Sequence, residues 1–123
     1  MKILDSSVIV AFFRENELDH IRAVDLIQSS EDFVIPDHVL AEVATVLKIR
    51  EGFEVANEAL KYLLSTDGIK INEMQPELFW SAMDFFGKSK NNLSFTDTLL
   101  LLFSRENRIP LVTFDKELAK MAK

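Results

Sequence analysis

Apolar residues take two forms that alternate along this chain. Short apolar runs stand at Ile3-Leu4, Phe33-Val34-Ile35 and Leu111-Val112, and a short alternating segment at Ile69-Lys70-Ile71. Each has the length of a strand and is bounded by a residue that turns or caps the chain: Asp5, Pro36, Gly68 or Pro110. Between them apolar residues recur at three- and four-residue spacing, the period of a helix with one buried face. The pattern predicts a strand at Lys2–Asp5, a helix from Ser7 to about Arg14 and a second from Asp19 to Ser29. Phe33–Ile35 reads as a short strand closed by Pro36. Asp37 then reads as the N-cap of a helix to Arg50, with Gly52 separating it from a helix at Glu54–Ser65. Gly68 precedes a strand at Ile69–Asn72, and Pro76 suits the first turn of a helix to about Lys88. A helix at Phe95–Asn107, a strand at Leu111–Phe114 and a last helix opened by Asp115 complete the chain. Strands separated by helical segments imply right-handed crossovers and a mostly parallel sheet with helices on both faces. The expected class is α/β, with the two-helix insert between Pro36 and Gly68 its least regular part.

Three helices carry more than periodicity. Leu99-Leu100-Leu101-Leu102-Phe103 leaves no polar face, so the helix headed by Asp97 is expected to be buried on most sides. On the helix from Asp37, the stripe is Val39, Leu40, Val43, Ala44, Val46 and Leu47, and Glu42 stands at its margin, where an acid leans into a cleft. Phe79-Trp80, Met83 and Phe85-Phe86 make a third helix apolar on more than one face. Core packing uses part of that surface, and a homodimer or partner interface uses the rest.

With 123 residues the chain is long enough for one domain with a real core, and residues 1–123 are read as a single domain. There is no cysteine, which removes disulfides, thiolate nucleophiles and zinc–thiolate sites. Asp5 comes too early for a signal-peptide apolar region, and the apolar run at Leu99–Phe103 is far too short to cross a bilayer. A cytoplasmic protein without a membrane partner is expected. The formal charge of −6 speaks against a nucleic-acid binder. Setting aside four of the twenty acids as metal ligands leaves sixteen against fourteen Lys and Arg, so net charge does not decide the partner. The best basic patches are Lys48 with Arg50 and Lys88 with Lys90.

Those four acids are Asp5, Glu42, Asp97 and Asp115. Asp5 and Asp115 stand at strand-to-helix junctions and Asp97 opens a helix, so a parallel sheet would bring them to the carboxyl edge, where open α/β sheets keep their sites. With no cysteine available and no histidine expected nearby, such carboxylates suit a hard divalent cation and phosphate chemistry. Aspartate is also a favoured N-cap, and that plain role is open to Asp5, Asp97 and Asp115 alike. Glutamate on a helix is usually solvated, which gives Glu42 an equally plain reading. His20 and His38 lack metal-ligand spacing and read as surface residues. Ser6 and Ser7 lack a histidine base, which argues against a serine nucleophile.

Three segments, taken in order, resemble a known family: Ile3-Leu4-Asp5-Ser6-Ser7, Leu93-Ser94-Phe95-Thr96-Asp97-Thr98-Leu99-Leu100 and Leu111-Val112-Thr113-Phe114-Asp115-Lys116. Together with Glu42 early in a helix after Pro36, they make the chain similar to PIN-domain ribonucleases, and above all to the VapC toxins of toxin–antitoxin systems. The resemblance covers essentially the whole length. It implies a PIN-like three-layer α/β/α fold, a sheet of four or five short strands and about seven helices, any fifth edge strand being short or missing. It implies Asp5 and Asp97 as main metal ligands, Asp115 and Glu42 completing the cluster, and Thr113 as a hydroxyl beside it. The implied cofactor is Mg2+, with Mn2+ as a substitute, and the implied reaction is endoribonucleolytic hydrolysis leaving 5′-phosphate and 3′-hydroxyl ends. The partners implied are RNA, a second copy of the chain and a protein antitoxin. Two other readings stay open: a non-toxin PIN-domain RNA-processing or RNA-binding module, and a receiver-like signalling domain. The last would need paired acids after the first strand, where Ser6 and Ser7 stand instead.

Overall fold

The computed structural model describes all residues from Met1 to Lys123. Its elements are β1 (Lys2–Leu4), α1 (Ser6–Phe13), α2 (His20–Ile27), β2 (Phe33–Pro36), α3 (Asp37–Glu51) and α4 (Phe53–Ser65). After these come β3 (Ile69–Asn72), α5 (Pro76–Lys88), α6 (Phe95–Asn107), β4 (Leu111–Val112) and α7 (Lys116–Met121). The four strands form one parallel sheet in the order β3-β2-β1-β4, with Ile3 level with Val34 on one side and with Leu111 on the other. Seven helices around a four-stranded parallel sheet are the expected α/β architecture.

The strand order fixes where a site belongs. The chain steps from β1 to β2 to β3 in one direction, then returns to add β4 on the far side of β1. Right-handed crossovers therefore put α1–α4 on one face of the sheet and α5–α6 on the other. The packing agrees: α1 meets α2 and α3, α3 meets α4, and α6 meets α5 and α7. The reversal falls between β1 and β4, and the carboxyl ends of those two strands border the crevice that such a switch point opens.

The core runs through the sheet into both helix layers. Ile3, Leu4 and Ile35 on the strands are buried together with Val43, Leu47 and Leu63 from one layer and Leu100 and Leu101 from the other. Each such side chain stabilises the fold by about 1.5–3 kcal/mol relative to exposure. Helix α6 is buried at Thr98, Leu99, Leu100, Leu101 and Phe103, as its lack of a polar face predicts.

The boundaries differ from expectation where side chains intercept the backbone. Strand β4 stops at Val112 rather than Phe114, because the Phe114 N–H donates to Ser7 Oγ at 3.0 Å and leaves the ladder. Helix α1 begins one residue early, at Ser6, with Asp5 as its cap. Asp37 is the first residue of α3 and not its cap; its Oδ2 accepts from the Met74 N–H at 3.2 Å, tying α3 to the chain after β3. Asp97 likewise is not the cap of α6. That place belongs to Ser94, and Asp97 sits at the third helical position in a reciprocal capping box.

Candidate active site

Asp5 anchors the site. It ends β1, caps α1 and is 5% exposed, so its carboxylate needs donors from the protein. Oδ1 accepts from the Ser6 N–H at 2.8 Å. Oδ2 accepts from Ser7 Oγ at 2.9 Å and from Thr113 Oγ1 at 2.6 Å. A hydroxyl has one proton, and each of these two directs it at Asp5. Their remaining lone pairs accept main-chain donors from the last junction: Ser7 Oγ from the Phe114 N–H, and Thr113 Oγ1 from the Asp115 N–H at 3.0 Å. Two hydroxyls thus lock the end of β4 to the carboxylate at the end of β1. Leu4 and Val112 are paired across the two strands, which places these residues side by side.

The other acids approach from three directions. Asp115 is exposed and caps α7, its Oδ1 accepting from the Leu118 N–H at 2.9 Å. Asp97 comes from the first turn of α6, where its Oδ2 accepts from the Ser94 N–H at 3.3 Å. Burial raises its pKa above the ordinary aspartate value, the Ser94 hydrogen bonds oppose that shift, and the negative charges of Asp5 and Asp115 add to it. Asp97 therefore feels both neighbouring aspartates. Glu42, half-buried on α3, lines a cavity of about 470 Å³ together with Ser6, Ser7 and Phe114.

The fold brings the four acids to one edge without closing them on a single point. No three acidic or imidazole side chains stand close enough to grip one ion directly. The cap hydrogen bonds hold one oxygen each of Asp97 and Asp115 toward the backbone and leave the second oxygen of each for other partners. The all-oxygen donor set fits a small hard cation that keeps several waters and takes only one or two carboxylates directly, as magnesium does.

One residue of this edge escaped the sequence reading. His38, expected at the surface, is half-buried, with both ring nitrogens buried and without a hydrogen-bond partner. Burial lowers its pKa below the usual imidazole value, against the opposing pull of Asp37, Glu42, Asp5 and a main-chain contact at Thr96. The ring thus stands between the acid of α3 and the start of α6, and its burial favours the neutral form. Its four-residue spacing from Glu42, one helical turn, was the available signal. His20 also departs from expectation, its Nδ1 standing 2.7 Å from the Ala11 carbonyl and joining α2 to α1.

A family profile described as PIN domain matches residues 2–123, and the chain belongs to that family. Solved structures with the same fold include VapC20 of Mycobacterium tuberculosis, described as a sarcin–ricin-loop-cleaving toxin. It is 19% identical with a TM-score of 0.87, covering 98% of this chain and 94% of that one. VapBC2 of Rickettsia felis, bound to a promoter DNA fragment, is 15% identical with a TM-score of 0.72, covering 98% and 92%. A toxin–antitoxin complex from Klebsiella pneumoniae is 16% identical with a TM-score of 0.67, covering 97% and 91%. Comparison with curated proteins gave no match. No helix is long and apolar enough to cross a membrane.

Proposed function

We propose that this protein is a magnesium-dependent endoribonuclease and the toxin of a toxin–antitoxin pair. The observation that carries the reading is the placement of Asp5 and Asp115 after the neighbouring strands β1 and β4, joined through Thr113, with Asp97 in the first turn of α6, inside a PIN-family fold. Neighbouring carboxylates repel one another, and a bound cation or proton offsets that repulsion. Asp5, Asp97, Asp115 and Glu42 are the residues that would hold the cation, with Mn2+ able to replace Mg2+. Bound there, a divalent cation supplies a water of lowered pKa and offsets charge on the phosphate. Asp5 is the rigid member, its orientation set by Ser6, Ser7 and Thr113. Asp97 and Asp115 offer one oxygen each while their caps hold the other. Glu42 stands on the wall of the cavity that Ser6 and Ser7 also line.

The partners follow from the same reading. One solved relative is a toxin–antitoxin complex by its own description and another is VapBC2 on promoter DNA, which supports a protein antitoxin here. Phe79, Trp80, Met83 and Phe86 on α5 are between 38% and 65% exposed, an apolar surface that suits a second copy of the chain. A cytoplasmic location accords with an RNA substrate. One observation favours a non-catalytic RNA-binding module instead: no three acids converge on one point. A cleavage assay separates the two. The parent should cut RNA in magnesium, and Asp5→Asn and Asp97→Asn should not while keeping their folds; cleavage by Asp97→Asn at the parental rate would remove the proposed site.

A further inference from the structure

We propose that the cavity beside the acid cluster reads a guanine base of the RNA strand, with Phe114 as the stacking platform and Asp19 as the acceptor for the base's Watson–Crick edge. This inference rests on the RNA-cleaving reading above. Phe114 and Asp19 both line the cavity of about 470 Å³ that Glu42 borders, a volume ordinary for a small-ligand site. Arg22 joins them. Its guanidinium lies 4.5 Å from the Phe114 ring centroid and 3.9 Å from a carboxylate oxygen of Asp19. The ring is thus held from one side by a cation, as in base-stacking platforms that combine an aromatic with arginine. It is also registered to the reaction centre: the Phe114 N–H donates to Ser7 Oγ, which donates in turn to Asp5.

The carboxylate next to the platform decides which base fits. Asp19 precedes α2 without capping it, and 3.9 Å is too long for a hydrogen bond to Arg22, so both oxygens keep their acceptor capacity. Of the other two acids lining it, Glu17 is engaged by Arg14 and Glu42 belongs to the proposed metal site. A carboxylate accepts and never donates. Among the four RNA bases only guanine presents two adjacent donors, N1–H and N2–H, on its pairing edge. Adenine and cytosine set an acceptor beside their amino donor, and uracil flanks its single donor with two acceptors. Three acids, Glu17, Asp19 and Glu42, line the cavity against one cation, Arg50, a balance that favours a base edge over the phosphate backbone. Single-stranded RNA is commonly read in this way, by stacking on an aromatic and bonding the pairing edge.

Two arms test the proposal. In chelator, NMR titration with 5′-GMP should move the Phe114 ring and Arg22 side-chain signals at concentrations about tenfold lower than 5′-AMP needs, a ratio within the range of one bidentate base contact. Asp19→Asn, which keeps a favourable residue before α2, should erase that ratio. In magnesium, oligoribonucleotides that differ at one base beside the cleaved bond should show a guanine preference in kcat/KM that Asp19→Asn abolishes. Equal response to the two nucleotides, or a ratio unchanged in Asp19→Asn, overturns the inference even if RNA is cut. Absence of cleavage in every oligonucleotide defeats the nuclease reading while the chelator arm still decides the subsite. Tighter binding of free 5′-GMP than of a guanine-containing oligonucleotide would assign the cavity to a soluble nucleotide and overturn the RNA assignment.

Discussion

Replacing Thr113 by valine removes one oxygen atom and keeps the shape, which makes it a clean probe of the junction between β1 and β4. Thr113 Oγ1 donates to the buried Asp5 carboxylate at 2.6 Å and accepts the Asp115 N–H at 3.0 Å. A hydrogen bond to a charged group contributes roughly 1.5–3 kcal/mol. Ser6 N–H and Ser7 Oγ still serve Asp5, and the Asp115 amide reaches water because that residue is exposed. The loss should therefore be about 2 kcal/mol, the contribution of the single charge-assisted bond. For a domain of this size that lowers Tm by roughly 6–10 °C. Thr113→Ser, which keeps the hydroxyl, should lose less than half as much. In an Asp5→Asn background the cost of Thr113→Val should shrink, since the acceptor is no longer an anion. Urea unfolding of the four proteins measures the coupling directly. A Thr113→Val variant within about 0.5 kcal/mol of the parent, the range of ordinary surface substitutions, would refute the claim that this hydroxyl holds Asp5.

Three further outcomes follow from the same structure. The folded-state pKa of Asp97 is raised, so the stability linked to its protonation is present below pH 3.8, the ordinary aspartate value, and is lost as pH rises through the folded value. Asp97→Asn should accordingly melt higher than the parent at pH 7 in chelator, by under about 1 kcal/mol because water screens a half-exposed carboxylate, and calorimetry with saturating Mg2+ should reverse that order. The folded-state pKa of His38 is lowered, so its contribution is present above pH 6.5 and lost as pH falls through the folded value; the stability of the parent minus that of His38→Leu should decline between pH 7 and pH 5, and a flat difference would return the ring to solvent. Light scattering at micromolar concentration should give a dimer mass that Phe86→Glu reduces; a strict monomer in both proteins would leave the α5 surface without its proposed role.

Much of the fold was legible because its signals are local. Four short segments with caps or breakers at their ends became four parallel strands, and the bounds of β3, α5 and α6 were read to the residue. Gly68 and Pro76 account for the first two, Gly68 by its positive φ of 87° ahead of β3 and Pro76 by standing at the first turn of α5. Two of the misread details share one cause: a side chain took a backbone partner from elsewhere in the chain. Ser7 captured the Phe114 amide across 107 positions, and Asp37 captured that of Met74. Neither bond has a sequence signature. The site divides in the same way. Asp5 and Asp115 were visible as junction acids, whereas the Ser7–Asp5–Thr113 hub depends on the pairing of Leu4 with Val112. His38 was missed for a comparable reason: its spacing from Glu42 was readable, but the nearness of Thr96 and Asp5 comes from tertiary packing.

On the proposed function the carboxylates at the β1–β4 edge would hold a divalent cation for hydrolysis of an RNA phosphodiester, and the ends of the products test that most directly. The parent, incubated with RNA in Mg2+, should release fragments with 5′-phosphate and 3′-hydroxyl termini, with no cleavage in chelator and none by Asp5→Asn. Fragments ending in 2′,3′-cyclic phosphate, formed equally well in chelator, would contradict it.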